Sequence, residues 1–327
     1  MKAIQISEFG GPRVLQETDV PEPSPGPGEI TIRVRAAGVN YADVMQRAGH
    51  YAAPAGGAPF VPGLEVAGTI ARRGEGVEGF GDSEKIAAIL LSGGYAEYAT
   101  APVSRVFRVP DDFTWEEAAA WPVNFLTAWL ALNAHTRLQP GQAVLVHAAA
   151  GGVGSAAVQI ASRLGARVIA TAGEPSKLDV ARRLGAHVAV DYRSEDFRDA
   201  VRSETGGRGV DVALESVGGQ TFTRSLDALA PFGKLVKFGS ASGAANNLDP
   251  VVLMTGNRSV IGFSLPGYYD VPGALQGALD ELAELHRASR LAPVVGRSFP
   301  LGEAAAAHEL LESRKSVGKL VLIPAAP

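Results

Sequence analysis

The sequence predicts an α/β protein that combines a doubly wound parallel sheet with a second, mainly β domain. Its 327 residues are about twice the length of a typical single domain. From Ala143 onward, short apolar runs alternate with helical patterns, an order typical of parallel sheets. The first 110 residues differ, because their short apolar runs are separated by glycine-rich turns.

The composition is that of a globular protein and excludes several classes of function. The chain is 46% hydrophobic and 20% charged, and 30 Lys+Arg against 34 Asp+Glu give a net charge of −4. This balance argues against nucleic acid or an anionic membrane as a partner. The absence of cysteine excludes disulfides, a thiolate nucleophile and cysteine-ligated metal. We expect a cytoplasmic protein, because the start also lacks a signal-peptide pattern.

The first domain is predicted from strand and turn signals. Residues Pro21 to Gly28 contain four prolines and two glycines, which indicates a loop. Apolar and polar residues then alternate over Glu29–Ala37, as in a half-buried strand. Further strands are predicted at Leu64–Ile70, Ile86–Leu91 and Tyr95–Tyr98. A capped helix is expected to start after Thr114.

In the second domain, strands and helices are predicted in strict alternation. The strands are Ala143–His147, Arg167–Ala172, Val188–Asp191, Val210–Leu214 and Lys234–Phe238, and the helices are Ser155–Leu164, Ser176–Leu184, Glu195–Thr205 and Thr221–Leu229. Two more helices, Val271–Ala288 and Glu303–Glu312, and a strand at Lys319–Ile323 follow. We expect residues 1–120, completed by 266–327, to form the mainly β domain, and 121–265 to form the parallel-sheet domain.

The strongest local motif is the glycine turn, residues 147–154. Ala149, Gly151 and Gly154 follow the spacing of a Rossmann dinucleotide fingerprint, between a predicted strand and a predicted helix. In such a turn the backbone approaches a pyrophosphate, and the helix N-terminus offers free N–H groups. We therefore expect Ala150, Gly151, Gly152, Val153 and Gly154 to bind the cofactor. A tight turn without a ligand is the structural alternative.

The end of the second strand favours NADPH over NADH. NAD sites usually place an acid there, whereas this strand ends in Thr171-Ala172-Gly173 and leaves room for a 2′-phosphate. Lys177 in the next helix and Tyr192 after the third strand are expected to contact that phosphate or the adenine. Two alternatives stay open: Glu174 as the ribose-binding acid, and Lys177 as a solvated lysine.

Motifs along nearly the whole chain point to one family. They include Phe9-Gly10-Gly11-Pro12, Ala37 to Val44, Gly49-His50-Tyr51, Pro62 to Gly68, Gly94 to Tyr98, Leu126-Thr127-Ala128, His147 to Gly154, Ala306-Ala307-His308-Glu309 and Gly318-Lys319. On these residues the chain resembles the zinc-free quinone oxidoreductases, the zeta-crystallin-like branch of the medium-chain dehydrogenase/reductase superfamily. The resemblance implies that the mainly β domain is GroES-like.

The resemblance also implies metal-free chemistry. The zinc-dependent relatives carry a cysteine at the position of Asn40 and Gly-His-Glu at Gly63-Leu64-Glu65, so both zinc ligands are replaced here. A quinone needs little polarisation, because its ring delocalises the charge that arrives with hydride. Positioning of nicotinamide and acceptor is then most of the catalysis.

By the same resemblance, Asn40, Asp43 and Tyr51 are expected in the catalytic site, where Tyr51 would stack on or hydrogen-bond a quinone. Each residue has a structural alternative. Asn40 would be a turn residue, Asp43 would cap a helix, and Tyr51 would be a packed surface tyrosine. Cofactor contacts are expected from Tyr41, Thr127, Ser216, Phe238, Gly239, Ser240, Phe263, Ser264 and Arg314. Arg314 has the alternative of an exposed helix-end arginine, and His147 is interpreted as a core or turn histidine.

The sequence thus predicts an NADPH-dependent quinone oxidoreductase that transfers hydride without a metal. An NADPH-dependent enone or enal double-bond reductase is an alternative, since it uses the same cofactor geometry. An NADPH-binding regulatory or RNA-binding protein is an alternative of another class. We expect a homodimer formed through an exposed sheet edge, as such folds usually dimerise.

Overall fold

The computed structural model describes residues 1–54, 56–81 and 83–325. The chain forms two compact units. The first contains Met1–Val123, Pro272–Ala283 and Ala292–Pro327, and the second contains Asn124–Val271 and Glu284–Leu291.

Up to residue 120 the chain is mainly β. Its strands are β1 (Lys2–Ile6), β2 (Leu15–Asp19), β3 (Glu29–Val39), β4 (Glu65–Arg73), β5 (Ile86–Ile89), β6 (Tyr98–Pro102) and β7 (Val106–Arg108), and its helices are α1 (Tyr41–Arg47) and α2 (Trp115–Ala119). Short 3₁₀ turns lie at Pro12–Val14 and Val103–Arg105. As predicted, α2 starts after Thr114, whose side chain and that of Glu117 form a reciprocal capping box.

The middle of the chain alternates between helix and strand. It contains α3 (Pro122–Trp129), β8 (Ala143–Val146), α4 (Gly152–Arg163), β9 (Arg167–Ala172), α5 (Pro175–Leu184), β10 (Val188–Asp191), α6 (Phe197–Glu204), β11 (Val210–Glu215), α7 (Gln220–Asp227), β12 (Leu229–Lys237), α8 (Val251–Met254) and β13 (Ser259–Gly262). A π-helical segment, Leu130–His135, continues α3. The remaining elements are a 3₁₀ turn at Leu265–Tyr268, α9 (Ala274–Ser289), β14 (Val295–Pro300), a 3₁₀ turn at Leu301–Glu303, α10 (Ala304–Glu312) and β15 (Lys319–Ile323).

The first unit contains a sheet with the strand order β14-β15-β3-β4-β5-β7, in which β6 also pairs with β3. Strands β1 and β2 form a separate two-stranded sheet. Strand β3 is its longest element and pairs antiparallel with β4, β6 and β15. Ile30, Ile32, Val66 and Leu320 are buried in the core cluster of this unit. This part of the chain is mainly β, as predicted.

In the second unit, six parallel strands have the order β10-β9-β8-β11-β12-β13. The order reverses beside β8, as in a Rossmann sheet, and ligands bind at such a switch point beyond the carboxyl ends of the strands. Leu145, Ile169, Val190 and Leu235 lie in the core cluster between these strands and their helices. The predicted α/β fold class is confirmed.

Some predicted element bounds are wrong. The strand predicted at Tyr95–Tyr98 lies instead at Tyr98–Pro102, because the Tyr95 backbone bonds Pro62 and Ile4 outside any ladder. Helix α4 begins at Gly152 rather than Ser155. Strands β1, β2, β7, β13 and β14 were not predicted. Within the described residues, no helix is long and apolar enough to cross a membrane.

Candidate active site

The glycine turn joins β8 to α4 and leaves the start of the helix open. Gly151 is the N-cap of α4, and as a glycine it offers no side-chain oxygen to the first N–H groups. A Cβ added to Gly154 would lie 2.2 Å from the carbonyl oxygen of Ala148, so close packing requires glycine there. A Cβ on Gly151 would meet only that oxygen, at 3.2 Å. The geometry fits a pyrophosphate on the helix N-terminus.

The residues after β9 and β10 meet at Gly173. A Cβ added to Gly173 would lie 2.6 Å from the Tyr192 hydroxyl and 3.0 Å from Nε of Arg193. Nη2 of Arg193 lies 3.5 Å from Oε1 of Glu174. Partial burial lowers the pKa of the Lys177 ammonium, and the nearby charge of Arg193 lowers it further, whereas Glu174 opposes the shift. Arg193 therefore stands beside a small residue, and Lys177 is near enough to Arg193 for their charges to interact. Two such cations fit a phosphate monoester.

Other predicted cofactor residues follow the ends of neighbouring parallel strands. Ser216 follows β11, and its carbonyl accepts a hydrogen bond from Ala241 N at 2.9 Å. Phe238, Gly239 and Ser240 follow β12, and Phe263 and Ser264 follow β13. Since these strands are parallel, the structure brings all these residues to the same edge of the sheet as the glycine turn.

A histidine that the sequence did not single out lies against the buried ring of Phe263. The His135 ring centroid is 5.0 Å from that of Phe263, and its Nε2 is 3.0 Å from the hydroxyl of Tyr268. Burial lowers the pKa of His135. His135 ends the π-helical segment that continues α3, the helix of the buried Thr127. Such π segments are frequent near functional sites.

His147 at the start of the glycine turn is a core residue. Its Nδ1 lies 2.9 Å from Thr171 Oγ1, and its Nε2 lies 2.8 Å from Ser225 Oγ. Burial is the main cause that lowers the pKa of His147 to about 4, so the ring is neutral at physiological pH. The geometry agrees with the interpretation of His147 as a core or turn histidine.

In the first unit, Asn40 sits at the junction of β3 and α1, where it caps the helix. Its backbone N donates to Oδ2 of Asp43 at 2.7 Å within a capping box. Its side chain is also engaged, because Nδ2 donates to Oε1 of Glu65 at 3.0 Å and Oδ1 accepts from Nζ of Lys319 at 2.5 Å. Asn40 is 8% exposed.

Asp43 is fully buried and belongs to a chain of polar side chains. Its Oδ2 accepts from the Tyr95 hydroxyl at 3.1 Å, and that hydroxyl lies 3.0 Å from Nε2 of His308. Nδ1 of His308 lies 3.2 Å from Nη1 of Arg47, and the Arg47 guanidinium pairs with Glu312. Burial raises the pKa of Asp43 to about 7. Its Oδ1 has no hydrogen-bond partner among the described residues.

The three remaining predicted residues lie at the ends of elements in the first unit. Tyr41 is the first residue of α1, and Tyr51 is half-buried in the segment that follows this helix. Arg314 lies just beyond α10 and is exposed, with a φ of 59°. Within the described parts of the chain, no group of three His, Asp or Glu side chains is placed to hold a metal ion.

Sequence reasoning missed the residues that surround Asn40 and Asp43. Glu65, Tyr95, His308 and Lys319 occur in the motifs of the resemblance, yet no role was assigned to them. The rarity of lysine, with seven in the chain, was the available signal for Lys319. Nothing local could have shown that it contacts Asn40, because 279 positions separate the two residues.

This chain combines a Rossmann sheet, which has a glycine turn, with a GroES-like unit. The combination is typical of a class of nicotinamide-dependent dehydrogenases and reductases. Two family profiles agree with this class. Residues 26–111 match the family described as alcohol dehydrogenase GroES-like domain, and residues 152–283 match zinc-binding dehydrogenase.

Individual relatives narrow the class. The chain is 37% identical to a quinone oxidoreductase of Pseudomonas aeruginosa and 36% identical to a 2-haloacrylate reductase of Burkholderia sp., covering 99% of each chain. The structure of Escherichia coli quinone oxidoreductase complexed with NADPH superposes with a TM-score of 0.93 at 34% identity, over 99% of this chain and 100% of that one. The chain belongs to the zinc-free quinone oxidoreductase branch of the medium-chain dehydrogenase/reductase superfamily.

Proposed function

We propose that this protein is an NADPH-dependent quinone oxidoreductase that transfers hydride to its acceptor without a metal. Two features of the second unit carry the proposal: the start of α4 at Gly151, which has no side chain of its own to cap the helix, and Arg193 beside Gly173 with the charge of Lys177 close to it. Several relatives that match nearly the whole chain are named quinone oxidoreductases, and the structure of one of this name was solved with NADPH.

Most of the residues proposed to hold the cofactor lie in the second unit. When bound, NADPH supplies a hydride from its nicotinamide ring. The glycine turn, through residues 150–154, would hold the pyrophosphate, and Gly173, Lys177 and Tyr192 would hold the 2′-phosphate end. Thr127, Ser216, Phe238 to Ser240, Phe263 and Ser264 would orient the nicotinamide half, and Tyr41 and Arg314 are proposed as further contacts.

For the acceptor we propose Asn40, Asp43 and Tyr51. At the positions of the two zinc ligands the chain has an amide and a leucine, Asn40 and Leu64, and neither is a good ligand for zinc. Hydrogen-bond donation to the developing oxyanion suits this chemistry. The Asn40 amide and the Tyr51 hydroxyl are suitable donors, and Asp43 supports Asn40 through the cap of α1.

NADPH consumption, followed optically with a panel of small and bulky quinones, tests the proposal. NADH is assayed in parallel. We expect rapid turnover with at least one quinone and a preference for NADPH. Tight NADPH binding with no turnover of any acceptor would contradict the proposal and would favour a binding or regulatory protein.

Reduction of an activated C=C bond is the second candidate. One observation favours it, namely the 36% identity to a 2-haloacrylate reductase over 99% of both chains. An enone and a haloacrylate therefore belong in the panel. Turnover of these acceptors in the absence of any quinone turnover would assign the protein to the double-bond reductases.

We also propose a homodimer formed through the edge of β13, which pairs only with β12 in the described sheet. An edge strand exposes unpaired backbone groups, and the preceding helix α8 exposes Val251 and Met254, the latter to 76%. Light scattering should give twice the chain mass of 33.9 kDa, and Val251→Asp with Met254→Asp should give one chain. A wild-type protein with the mass of one chain would contradict the proposal.

We propose that residues 1–120 together with 266–327 form the acceptor-binding domain. We propose that residues 121–265 form the cofactor-binding domain.

We also propose a cytoplasmic location. It is supported by the absence of cysteine, since the fold then needs no oxidising compartment. Cell fractionation with an antibody against the chain would test the location.

A further inference from the structure

A buried ion pair in the first unit holds the side chain of Asn40. Nζ of Lys319 pairs with Oε1 of Glu65, and these residues are 3% and 0% exposed, respectively. Both bind the same carboxamide, Lys319 at Oδ1 and Glu65 at Nδ2. The other carboxylate oxygen of Glu65 accepts from Val123 N at 3.0 Å. Two opposite charges are thus removed from water, an arrangement that is costly unless geometry and hydrogen bonds are good.

The contacts determine which way the Asn40 carboxamide faces. An ammonium group only donates and a carboxylate only accepts, so Oδ1 must face Lys319 and Nδ2 must face Glu65. Reversal of the amide would place an N–H against the ammonium and an oxygen against the carboxylate. The pair therefore excludes the reversed orientation. One of the two Nδ2 hydrogens bonds Glu65. An amide nitrogen carries a second hydrogen, which can bond a further acceptor oxygen.

The backbone beside Asn40 is adapted to the ion pair. A Cβ added to Gly38 would lie 2.7 Å from both Oε1 of Glu65 and Cε of Lys319, and 2.4 Å from the carbonyl oxygen of Ala119. Any side chain at position 38 would therefore displace the pair. Gly38 lies within strand β3, where glycine usually weakens a strand. Its presence here is explained by the space that the ion pair occupies.

We propose that Lys319 and Glu65 are positioning residues that fix the Asn40 carboxamide, so that its second Nδ2–H points to the oxygen of the bound acceptor. The inference rests on the proposed quinone reduction. In this proposal, the buried Lys319–Glu65 pair orients the carboxamide of Asn40. Asn40 is the polar residue at a position where the zinc-dependent relatives carry a zinc ligand. Neither Lys319 nor Glu65 contacts the acceptor in this scheme, and both act through Asn40.

The kinetic test compares four proteins: wild type, Asn40→Ala, the neutral pair variant Glu65→Gln with Lys319→Met, and the combination of all three substitutions. Both charges are removed together, because Lys319→Met alone would leave a buried carboxylate unpaired. Misorientation of one donor should lower kcat for the quinone about 10- to 100-fold in the pair variant. The Kd of NADPH should stay within about twofold of wild type, a change of less than ~0.5 kcal/mol.

The decisive comparison is the effect of the pair change in the absence of Asn40. If the pair acts through Asn40, the triple variant should have the kcat of Asn40→Ala alone, since nothing is left to position. Losses that multiply in the triple variant would overturn the proposal and indicate a general structural role. The matched control is the same charge removal at the exposed pair, Lys2→Met with Asp19→Asn, which should leave kcat unchanged.

A second measurement is independent of turnover. The chain has six asparagines, so ¹⁵N-asparagine labelling gives a small set of side-chain amide signals, and Asn40→Ala assigns one of them. In wild type the Asn40 Nδ2 hydrogens should exchange slowly with water, and in the pair variant at least about 10-fold faster, as expected when a buried hydrogen bond is lost. Unchanged exchange would overturn the proposed orientation even if quinones are reduced. Slow exchange in a protein that reduces no quinone would instead contradict the proposed function.

Discussion

The hydroxyl of Tyr95 donates a hydrogen bond to Oδ2 of Asp43 over 3.1 Å inside the first unit. The direction of this bond follows from the hydrogen bonds that connect Arg47, His308 and Tyr95. Arg47 can only donate, so Nδ1 of His308 accepts from it and Nε2 carries the hydrogen that faces Tyr95. Burial and the charge of Arg47 lower the pKa of His308 to about 3, which keeps this ring neutral. Every donor in the series therefore points toward Asp43.

The first prediction concerns the pH dependence of stability through Asp43. Burial raises its pKa from 3.8 to about 7 in the folded protein, so the folded state binds this proton more tightly than the unfolded state. The contribution of Asp43 is therefore complete below about pH 4 and is lost as pH rises through about 7, with a slope of at most ~1.4 kcal/mol per pH unit. We expect Asp43→Asn to remove this dependence.

Urea unfolding of both proteins at pH 5, 6 and 8 measures the effect, and the quantity compared is the difference in the free energy of unfolding between them. His147 and His308 have lowered pKa values and act in the opposite sense, since the folded state loses stability as pH falls. Both histidines are present in both proteins, so their contribution cancels in the difference. A difference that does not change with pH would show that Asp43 titrates normally.

Local signals were enough to predict the main helices and strands of the second unit and the position of the glycine turn. The strands Arg167–Ala172 and Val188–Asp191 and the helix that ends before Gly185 were predicted because periodicity, proline and glycine mark them within a few residues. The glycine turn is likewise contiguous. The environment of Asn40 could not be predicted, because Glu65 and Lys319 reach it from 25 and 279 positions away. Tertiary packing alone brings these charges together.

A second prediction tests the 2′-phosphate site through Lys177. A charge-assisted hydrogen bond contributes about 1.5–3 kcal/mol, so Lys177→Ala should weaken NADPH binding about 10- to 100-fold. NADH lacks the phosphate, and its affinity should change little. Fluorescence titration with both cofactors measures the two constants. Arg183→Ala, at the exposed end of the same helix, is the control and should leave both unchanged. Equal losses for the two cofactors would refute the assignment.

A third prediction addresses Glu174, which pairs with Arg193 in the structure. If Glu174 only reduces the positive charge of the site, Glu174→Gln should strengthen NADPH binding about threefold or more, since a like charge near the phosphate is removed. If Glu174 instead binds the ribose hydroxyls of NADH, the same variant should weaken NADH selectively. Titration with both cofactors separates the two roles. Asp179→Asn, an exposed neighbour on α5, controls for the simple loss of a negative charge.

The last prediction separates packing from binding at the glycine turn. Gly154→Ala would force a Cβ to within 2.2 Å of the carbonyl oxygen of Ala148. Such overpacking should lower the free energy of unfolding by about 1–3 kcal/mol. Gly151→Ala meets that oxygen at 3.2 Å and should fold with nearly normal stability. Its methyl group nevertheless stands at the N-cap of α4, where we propose that the pyrophosphate binds, so NADPH affinity should fall.

Gly277→Ala is the control for both variants of the glycine turn. A Cβ at this position of α9 meets nothing within 4 Å, and alanine is favoured over glycine in a helix by about 1 kcal/mol. We expect unchanged or slightly higher stability with wild-type affinity for NADPH. Urea unfolding and cofactor titration of the three variants complete the comparison. If Gly151→Ala binds NADPH as well as wild type, the pyrophosphate does not lie on the backbone of the glycine turn.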